Sequence, residues 1–456
     1  MKIKALKACL LGLAAFVLFL VMPAQSLMAQ EFDGFLRIGL RQYFANRQEI
    51  NIYSQQLEVG AFYDGFFHVL GHFNSGQRFT VRPAAYGGVV SLYADGLQVL
   101  NGETTLQFRD ISGITNLGVR QYRGVIEIAS LNPGTVSAIN IVHMDEYLFS
   151  VVPSEMPASW HMEALKSQAV AARTFTLYRM ASWAGHDYNL CDTVFSQVYS
   201  GTFREHERTT QAVLATTGLV MLYGGQPILA AYSSCAGGFT ANSEDVWFAT
   251  LPYLRSVPER HDATDMLWRR TITLSELSGL LRGANVSIGD AVAIQLIHNP
   301  QGRVMQLIII GTNGNHMLER ENIRSFFGPL DGSSLRSRNF NIVGAPVAGG
   351  FLQSANPAVY IASATGISQS TLAQLGKPYG AMVMTAYGLS IIDQPAMPMP
   401  QENVSISSGY HIHLEGRGWG HGVGMSQHGA RAMADMGYNF MQILNWYYTG
   451  IQIVMR

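Results

Sequence analysis

The hydrophobic period of the chain changes near Met144, and this change limits the available folds more than any other feature of the sequence. Between residues 35 and about 131, short runs of alternating apolar side chains are separated by Gly, Asn or Asp, which is typical of an all-β module. Between residues 162 and 179, apolar residues recur at helical intervals instead. The sequence therefore predicts an α+β protein, with a β-rich N-terminal module and a mixed core that contains a long helix.

The C-terminal half adds further elements to this core. Residues 271–345 return to β character, and residues 426–436 and 439–448 each predict a helix closed by a glycine. Residues 346–402 are rich in Gly, Ala, Ser and Pro, which is a linker composition. We therefore predict six segments: a signal peptide or signal anchor (1–29), a β-rich module (30–131), the first part of the core (132–270), a β-rich insertion (271–345), a Gly/Ala/Pro-rich insertion or linker (346–407) and the second part of the core (408–456).

The composition excludes several classes of protein. The 30 Lys and Arg residues balance 31 Asp and Glu residues, so the chain has no basic surplus to attract nucleic acid, and no nucleic-acid partner is expected. A hydrophobic content of 48% excludes a disordered chain and allows sizeable cores. After residue 30, no run reaches the roughly 18 apolar residues that a membrane-spanning helix needs.

The N-terminus has the three parts of an export signal. Lys2, Lys4 and Lys7 precede an apolar run at 8–22, and small or polar residues then end at Ala29. The protein is therefore expected outside the cytoplasm. Two alternatives stay open, since a cleaved signal gives a secreted protein and a retained one tethers the chain to the membrane.

Two cysteines, Cys191 and Cys235, remain in the exported part. An even pair in an oxidising compartment suits a disulfide, and two unpaired, small apolar side chains are the alternative. His186 and Cys191 could bind zinc, but a structural zinc site needs about four ligands. Phe195 and Ser196 occupy the positions where further ligands would be convenient, so neither a metal nor a cofactor is expected.

A single carboxylate, Glu155, lies between Pro153 and Pro157 just before the predicted long helix. The two prolines restrict the backbone, so we expect Glu155 on a stiff loop. Apolar neighbours favour its protonated form, as a general acid requires, whereas a helix N-terminus favours the ionised form. Glu155 is therefore either a general acid or a turn residue that bonds helix N–H groups.

Gln168 and Arg173 are the polar members of a small, apolar stretch on the long helix. An arginine among alanines can reach a polar ligand or a buried carboxylate with its fork of donors. Ligand binding and a buried ion pair are therefore both open for Arg173.

Glycines alternate with other residues from Gly416 to Gly424. The segment has neither the G-x-G-x-x-G pattern nor a following Gly-Lys-Ser/Thr, so it is not a phosphate-binding loop. In an extended segment, the glycines would line one side, where a backbone or a ligand packs closely. The opposite side would carry Arg417, Trp419, His421 and Val423. An extended polar substrate such as a sugar would suit Trp419, His421, Gln427 and His428.

Four blocks of sequence occur in a characteristic order. They are 145–157, with Glu155; 163–174, with Gln168 and Arg173; 191–199, joined by Gly237-Gly238 and 242–247; and 416–427. In these blocks the chain resembles the stage II sporulation protein D family of bacterial peptidoglycan lytic transglycosylases, which also includes amidase-enhancer proteins. The resemblance covers most of residues 120–345 and 408–456.

The resemblance implies an enzyme of the cell envelope that acts in cell-wall remodelling, including sporulation. Members cleave peptidoglycan glycan strands between N-acetylmuramic acid and N-acetylglucosamine without water, which leaves 1,6-anhydro ends. The catalytic glutamate of the family falls on Glu155. Some members bind zinc near the block of Cys191, where Phe195 and Ser196 depart from that pattern. The expected substrate-binding residues are Gln168, Arg173, Tyr199, Arg417, Trp419, His421 and Gln427.

Two other functions stay open at this point. The chain could bind wall glycan without cleaving it and stimulate a cell-wall amidase, as the enhancer branch of the family does. It could also be a hydrolase, which needs a second carboxylate near Glu155. Glu244 and Asp245 are the candidates that the motifs supply.

Overall fold

The computed structural model describes residues 33–74, 78–84, 88–182, 187–247, 249–259, 266–330, 332–343 and 411–456, and the backbone of four short strands between 351 and 391. The predicted signal at 1–29 and most of the predicted linker at 346–407 lie outside these residues. Helices and several sheets are both present, which confirms the predicted α+β class. Within the described residues, no helix has the length and apolar character needed to span a membrane.

The first compact unit consists of the described residues up to Tyr147 together with Asp187–Asp192. It is built from short strands and one helical turn, α1 (Arg41–Phe44). The strands are β1 (Phe35–Gly39), β2 (Ile50–Tyr53), β3 (Gln56–Tyr63), β4 (Phe66–Asn74), β5 (Arg78–Pro83), β6 (Val90–Ala94), β7 (Leu97–Glu103), β8 (Thr105–Asp110), β9 (Ile114–Asn116), β10 (Gln121–Arg123), β11 (Val125–Ala129), β12 (Ser137–His143) and β13 (Leu190–Cys191).

These strands form two sheets. The first has the order β13-β1-β12-β11-β8-β3-β4, and its neighbours are antiparallel except for the parallel pair β1–β13. The second sheet has the order β10-β9-β2-β5-β6-β7. Strands β11 and β12 are buried along nearly their whole length, so the centre of the first sheet belongs to the interior of this unit.

The second compact unit consists of the described residues within Leu148–His186 and Thr193–Arg456. Its helices are α2 (Met144–Glu155), which begins just before the unit, α3 (Met162–Ser182), α4 (Glu207–Leu214), α5 (Glu244–Trp247), α6 (Leu274–Gly283), α7 (Asn322–Phe326), α8 (Gln427–Asp435) and α9 (Phe440–Tyr447). Its strands are β14 (Leu219–Tyr223), β15 (Gln226–Pro227), β16 (Tyr232–Ser233), β17 (Trp268–Thr273), β18 (Ala291–His298), β19 (Val304–Gly311), β20 (Gly314–Glu319), β21 (Phe340–Val343), β22 (Phe351–Gln353), β23 (Val359–Ala362), β24 (Met382–Thr385), β25 (Gly388–Ile391), β26 (His411–Gly416), β27 (Met425–Ser426) and β28 (Gln452–Met455).

The sheets of this unit are small. β14 lies between β15 and β28, and β26 lies between β17 and β21. A larger sheet has the order β20-β19-β18-β23-β22, and β24 pairs with β25. The short parallel pair β16–β27 joins Tyr232 to Met425 and Ser233 to Ser426. This pair places the start of α8 next to β16.

The second unit contains two hydrophobic cores. In one core α3 packs against α8, α9 and β14, and it includes Leu165, Val170, Met433 and Leu444. The residues 169–172 of α3 have no exposed surface, because their small side chains let neighbouring elements approach closely. The other core lies between α6 and the strands β18 and β19.

The structure confirms the predicted long helix and both C-terminal helices. Ser426 caps α8, since its Oγ accepts a hydrogen bond from Gly429 N at 3.2 Å. Asn439 and Gln442 form a capping box at the start of α9. Both helices therefore begin at side chains that satisfy their first N–H groups.

The glycine-rich segment before α8 is not extended, so that prediction is wrong. Gly418, Gly420, Gly422 and Gly424 all have positive φ angles, of +82°, +106°, +78° and +72°. The chain therefore turns repeatedly, and the side chains between the glycines enter different surroundings instead of sharing one side. Of the two packing partners considered, the structure shows the protein itself, because a Cβ on Gly418 would lie 2.7 Å from the carbonyl oxygen of Cys235.

We expect Gly424→Ala to destabilise the second unit. A Cβ there would collide with the carbonyl oxygen of Ala231, and the φ of +72° disfavours any residue with a side chain. The expected loss in free energy of unfolding is about 1–3 kcal/mol.

Gly279→Ala is the matched control, since Gly279 lies in α6 with open space where a Cβ would be added. It should be neutral or should stabilise the helix by roughly 0.5–1 kcal/mol. Urea unfolding of both variants measures the difference, and equal midpoints would show that the Gly424 backbone is not under this constraint.

Candidate active site

Glu155 is the last residue of α2 and does not lie on a loop before α3, which corrects the prediction. Pro153 lies inside the helix, where it lacks the N–H that would bond to the preceding turn. The helical bonding nevertheless continues, because Met156 N donates to Val152 O at 2.9 Å. Glu155 is therefore held at a helix C-terminus, where no free helix N–H groups stabilise a carboxylate.

The half-buried carboxyl of Glu155 contacts three segments that are distant in sequence. Its Oε2 accepts a hydrogen bond from Gln427 Nε2 at 3.3 Å, and it also bonds to the backbone of Val198 and the hydroxyl of Tyr232. Burial raises the pKa of the carboxyl above its ordinary value of 4.5, although these hydrogen bonds act in the opposite direction. The direction is the one that a general acid near neutral pH requires.

Two glutamine side chains connect α8 and α3 beside this carboxyl. Gln427, the first residue of α8, donates to Glu155 and also to Gln168 Oε1, at 3.4 Å. Gln168 has no exposed surface, so it acts on the site through Gln427. The structure therefore brings Glu155, Gln168 and Gln427 together.

His421 supports the site through the backbone of Tyr232. Its Nδ1 accepts a hydrogen bond from Val423 N at 3.0 Å, and its ring bonds to the Tyr232 backbone and packs against Trp247. Burial lowers the pKa of His421 to about 4, so the ring is neutral at pH 7. A neutral ring that accepts at Nδ1 donates from Nε2, which holds Tyr232 in place.

Arg173, a predicted substrate-binding residue, is buried among backbone carbonyls. It is 3% exposed, and its guanidinium donates to the carbonyl oxygens of Thr216, Leu219 and Val213 at 2.7, 3.3 and 3.4 Å. These carbonyls belong to the end of α4 and the turn into β14. Arg173 therefore stabilises that turn, because its fixed fork can satisfy several carbonyls at once.

The remaining predicted substrate-binding residues divide by exposure. Tyr199 is 2% exposed, so its ring belongs to the interior. Arg417 is exposed, and Trp419 is 48% exposed with the guanidinium of Arg336 at 4.8 Å from its ring centroid. Only the last two offer side-chain surface to a ligand.

Besides Tyr232, sequence reasoning missed Glu259 and Arg303 in this unit. Glu259 accepts hydrogen bonds from Ser426 Oγ and from Gly238 N, and it thereby holds the start of α8. Arg303 is buried, and its Nη2 donates to the carbonyl oxygens of Ala236 and Phe239, both at 2.7 Å. No local motif marks either residue, since their partners lie far away in sequence.

The buried Arg303 also explains one of the glycines. Its guanidinium occupies the space where a Cβ on Gly422 would lie. Burial lowers the pKa of Arg303 to about 10, which still leaves it charged at pH 7. The predicted β-rich insertion thus supplies a cation that holds the glycine-rich segment.

The candidate second carboxylates are bound elsewhere. Glu244 pairs with Arg255, 2.7 Å from its Nη1, and this pairing lowers the pKa of Glu244 to about 2. Asp245 accepts hydrogen bonds from Asn242 and Asn299. Neither arrangement provides a carboxylate that could activate water beside Glu155.

The described residues include both cysteines and one of the two zinc-ligand candidates, Cys191. Cys191 and Cys235 are both buried. Among the described residues, no group of three or more His, Cys, Asp and Glu side chains could hold a metal ion. His186 lies outside those residues.

Comparisons with known proteins agree on one family. The SpoIID model, described as stage II sporulation protein, matches residues 132–223. Stage II sporulation protein D of Bacillus subtilis is 29% identical over 333 residues, which cover 69% of this chain and 76% of that protein. The chain therefore contains a SpoIID domain. The corresponding protein of Bacillus amyloliquefaciens is 27% identical over 333 residues, which cover 69% of this chain and 75% of that protein.

A second kind of relative is the amidase enhancer of Bacillus subtilis. It is 29% identical over 313 residues, which cover 66% of this chain. The matched part is 39% of the enhancer's own length. The SpoIID match and these relatives support a cell-wall-related function.

We expect Glu155→Gln to change the pH dependence of stability. The folded state raises the pKa of Glu155, so it binds the proton more tightly than the unfolded chain does. This stabilisation is complete below the ordinary value of 4.5 and is lost as the pH rises through the folded pKa. The variant lacks this loss, so its stability relative to the wild type should rise with pH across that window.

Urea unfolding at a series of pH values measures this difference. Glu207→Gln is the control, because Glu207 is exposed at the start of α4. A difference between Glu155→Gln and wild type that stays constant with pH would contradict the raised pKa.

Proposed function

We propose that this protein is an exported lytic transglycosylase of peptidoglycan, in which Glu155 acts as both the acid and the base. The proposed substrate is the glycan strand, which is cleaved at the bond between N-acetylmuramic acid and N-acetylglucosamine. The observation that carries this proposal is the half-buried Glu155 carboxyl, whose pKa is raised by burial and which faces the start of α8. A raised pKa is the change that a general acid needs in order to keep its proton at higher pH.

The proposed reaction has two proton transfers. Protonated Glu155 donates to the glycosidic oxygen, and the bond from that oxygen to C1 of the muramic acid breaks, which leaves an oxocarbenium-like ring. The Glu155 carboxylate then accepts the proton of the C6 hydroxyl on the same sugar while O6 bonds to C1. The product is a 1,6-anhydro end, and no water is consumed.

This route fits a site with one carboxylate. Two-carboxylate glycosidases need a second acid at a defined separation to activate water or to form a covalent intermediate. Here the substrate supplies the nucleophile, and Glu244 and Asp245 are bound to other partners. The protein therefore needs to hold one proton and one sugar ring in position.

Contacts to the glycan are proposed for the glycine-rich segment. Trp419 presents about half of its surface to solvent, and the exposed Arg417 lies two residues before it. Aromatic faces commonly bind sugar rings, and the Arg336 guanidinium packs on the same indole. Export by the segment 1–29, with release or tethering at the membrane, belongs to the same proposal.

A second function is favoured by one comparison. The amidase enhancer of Bacillus subtilis matches 66% of this chain. A chain that binds glycan without cleaving it could bring a cell-wall amidase to its substrate. In that case Trp419 and Arg417 would matter, and the proton of Glu155 would not.

Digestion of purified glycan separates these functions. Wild-type chain should release fragments with 1,6-anhydromuramic ends, and Glu155→Gln should lower the rate by at least about 100-fold, because general acids typically contribute that much. Mass spectrometry of the fragments measures both outcomes. Glu207→Gln, which changes an exposed carboxylate of the same unit, should keep the wild-type rate.

The same assay includes a purified cell-wall amidase. Intact glycan together with faster release of stem peptides would support the enhancer and contradict the transglycosylase. Fragments with reducing ends would point to hydrolysis. Full activity in Glu155→Gln would remove Glu155 from the mechanism.

A further inference from the structure

Tyr232 places its hydroxyl group between two hydrogen-bonding partners. One partner is the carboxyl of Glu155. The other is Oε1 of Gln197, at 2.9 Å. A phenol hydroxyl carries one proton, so it donates to one of these partners at a time. The direction of that proton decides which form of Glu155 Tyr232 stabilises.

The orientation of the Gln197 amide is fixed by α3. Gln197 is 2% exposed, and its Nε2 donates to Thr176 Oγ1 at 2.8 Å and to Ala172 O at 3.4 Å. Thr176 gives its own proton to the same Ala172 carbonyl at 2.9 Å, which leaves its oxygen to accept. Reversing the amide would bring Oε1 against a carbonyl oxygen, and two buried acceptors repel each other. Oε1 therefore faces Tyr232.

We propose that Gln197 is a positioning residue that draws the Tyr232 proton away from Glu155, so that the Tyr232 oxygen accepts the proton of the carboxylic acid. Gln197 acts through Tyr232 in this arrangement and does not touch the carboxyl. The effect of Gln197 on glycan cleavage rests on the proposed function. The effect of Gln197 on the pKa of Glu155 does not depend on that function.

The direction of the Tyr232 proton matters because of the other contacts that Glu155 makes. Gln427 and the backbone N–H of Val198 already donate to the carboxyl and favour its ionised form. A hydrogen bond donated by the Tyr232 hydroxyl would add to that effect. Gln197 prevents this, because its Oε1 accepts the Tyr232 proton.

Charged and titratable side chains on the packed elements have contacts of their own. On α3, Glu163 pairs with Lys166, and Arg173 donates to backbone carbonyls. On α8, the His428 ring packs against Trp160, and Arg431 pairs with Asp435. On neighbouring segments, Glu259 accepts from Ser426, and His421 accepts from the backbone of Val423.

Titration of the Glu155 carboxyl in the full-length chain tests the proposal. Carboxyl-carbon NMR with labelled glutamate gives the midpoint, and the signal is assigned by its loss in Glu155→Gln. Gln197→Met should lower the midpoint, because the freed Tyr232 proton then stabilises the carboxylate. In a Tyr232→Phe background the same substitution should cause no shift, since the hydroxyl that transmits the effect is absent.

An unchanged midpoint in Gln197→Met would overturn the proposal, and so would an equal shift in both backgrounds. Gln197→Leu removes the same acceptor with a different shape, and thermal melting shows which of the two variants folds. A purely structural role for Gln197 would alter the melting temperature without this dependence on Tyr232.

Kinetics extend the test when glycan is cleaved. Gln197→Met should lower kcat near neutral pH by about tenfold and move the falling side of the pH profile to lower pH, with KM unchanged. If wild type cleaves no glycan but the midpoint shifts as expected, the proposed function fails and the role of Gln197 stands. If glycan is cleaved and the midpoint does not move in Gln197→Met, the proposed function stands and the role of Gln197 fails.

Discussion

The hydrogen bond from Gln427 Nε2 to Glu155 Oε2 joins two segments that are 272 residues apart in sequence. It connects the C-terminus of α2 to the N-terminus of α8, and Gln168 on α3 accepts from the same amide. Met156, which directly follows Glu155, belongs to the hydrophobic core that α3 and α8 share, so this core fixes the backbone next to the carboxyl. The chemistry of the site therefore depends on the folding of a unit that is assembled from both ends of its sequence.

The second constraint is a buried cation inside a segment of glycines. Arg303 donates to the carbonyls of Ala236 and Phe239 and fills the space beside Gly422. A buried guanidinium is costly unless its donors are satisfied, so the carbonyls must stay where they are. The glycines allow the chain to pass close to the cation, and α8 begins immediately after them. The β-rich insertion thus contributes to the position of Gln427 without touching Glu155.

Much of the fold could be predicted from local patterns. The alternation in the first unit, the helical period of α3 and the caps at Ser426 and Asn439 are properties of short segments, and the structure has those elements. The position of Glu155 was predicted as a loop because two prolines flank it. In the structure Glu155 is helical although Pro153 removes one backbone hydrogen bond of the helix. Tertiary packing outweighs that local cost.

The contacts of the site could not be predicted in the same way. Val198, Tyr232 and Gln427 meet Glu155 only through tertiary folding. For Arg173, the sequence left a ligand and a buried ion pair open, and the structure shows carbonyl oxygens as its partners. Alternating glycines are compatible with extended and with left-handed backbone, and the atoms of residues 231–237 decide between the two. Sequence therefore singled out Glu155 as the candidate acid, whereas its contacts with Val198, Tyr232 and Gln427 required the structure.

The central claim is that one carboxyl cleaves glycan without water, and the most direct measurement uses water labelled with heavy oxygen. Purified glycan would be digested in that water, and the new muramic ends would be weighed. The account predicts new ends that carry no heavy oxygen and that disappear with Glu155→Gln. One heavy oxygen in each new end would show hydrolysis and contradict the account, as would glycan that remains uncut.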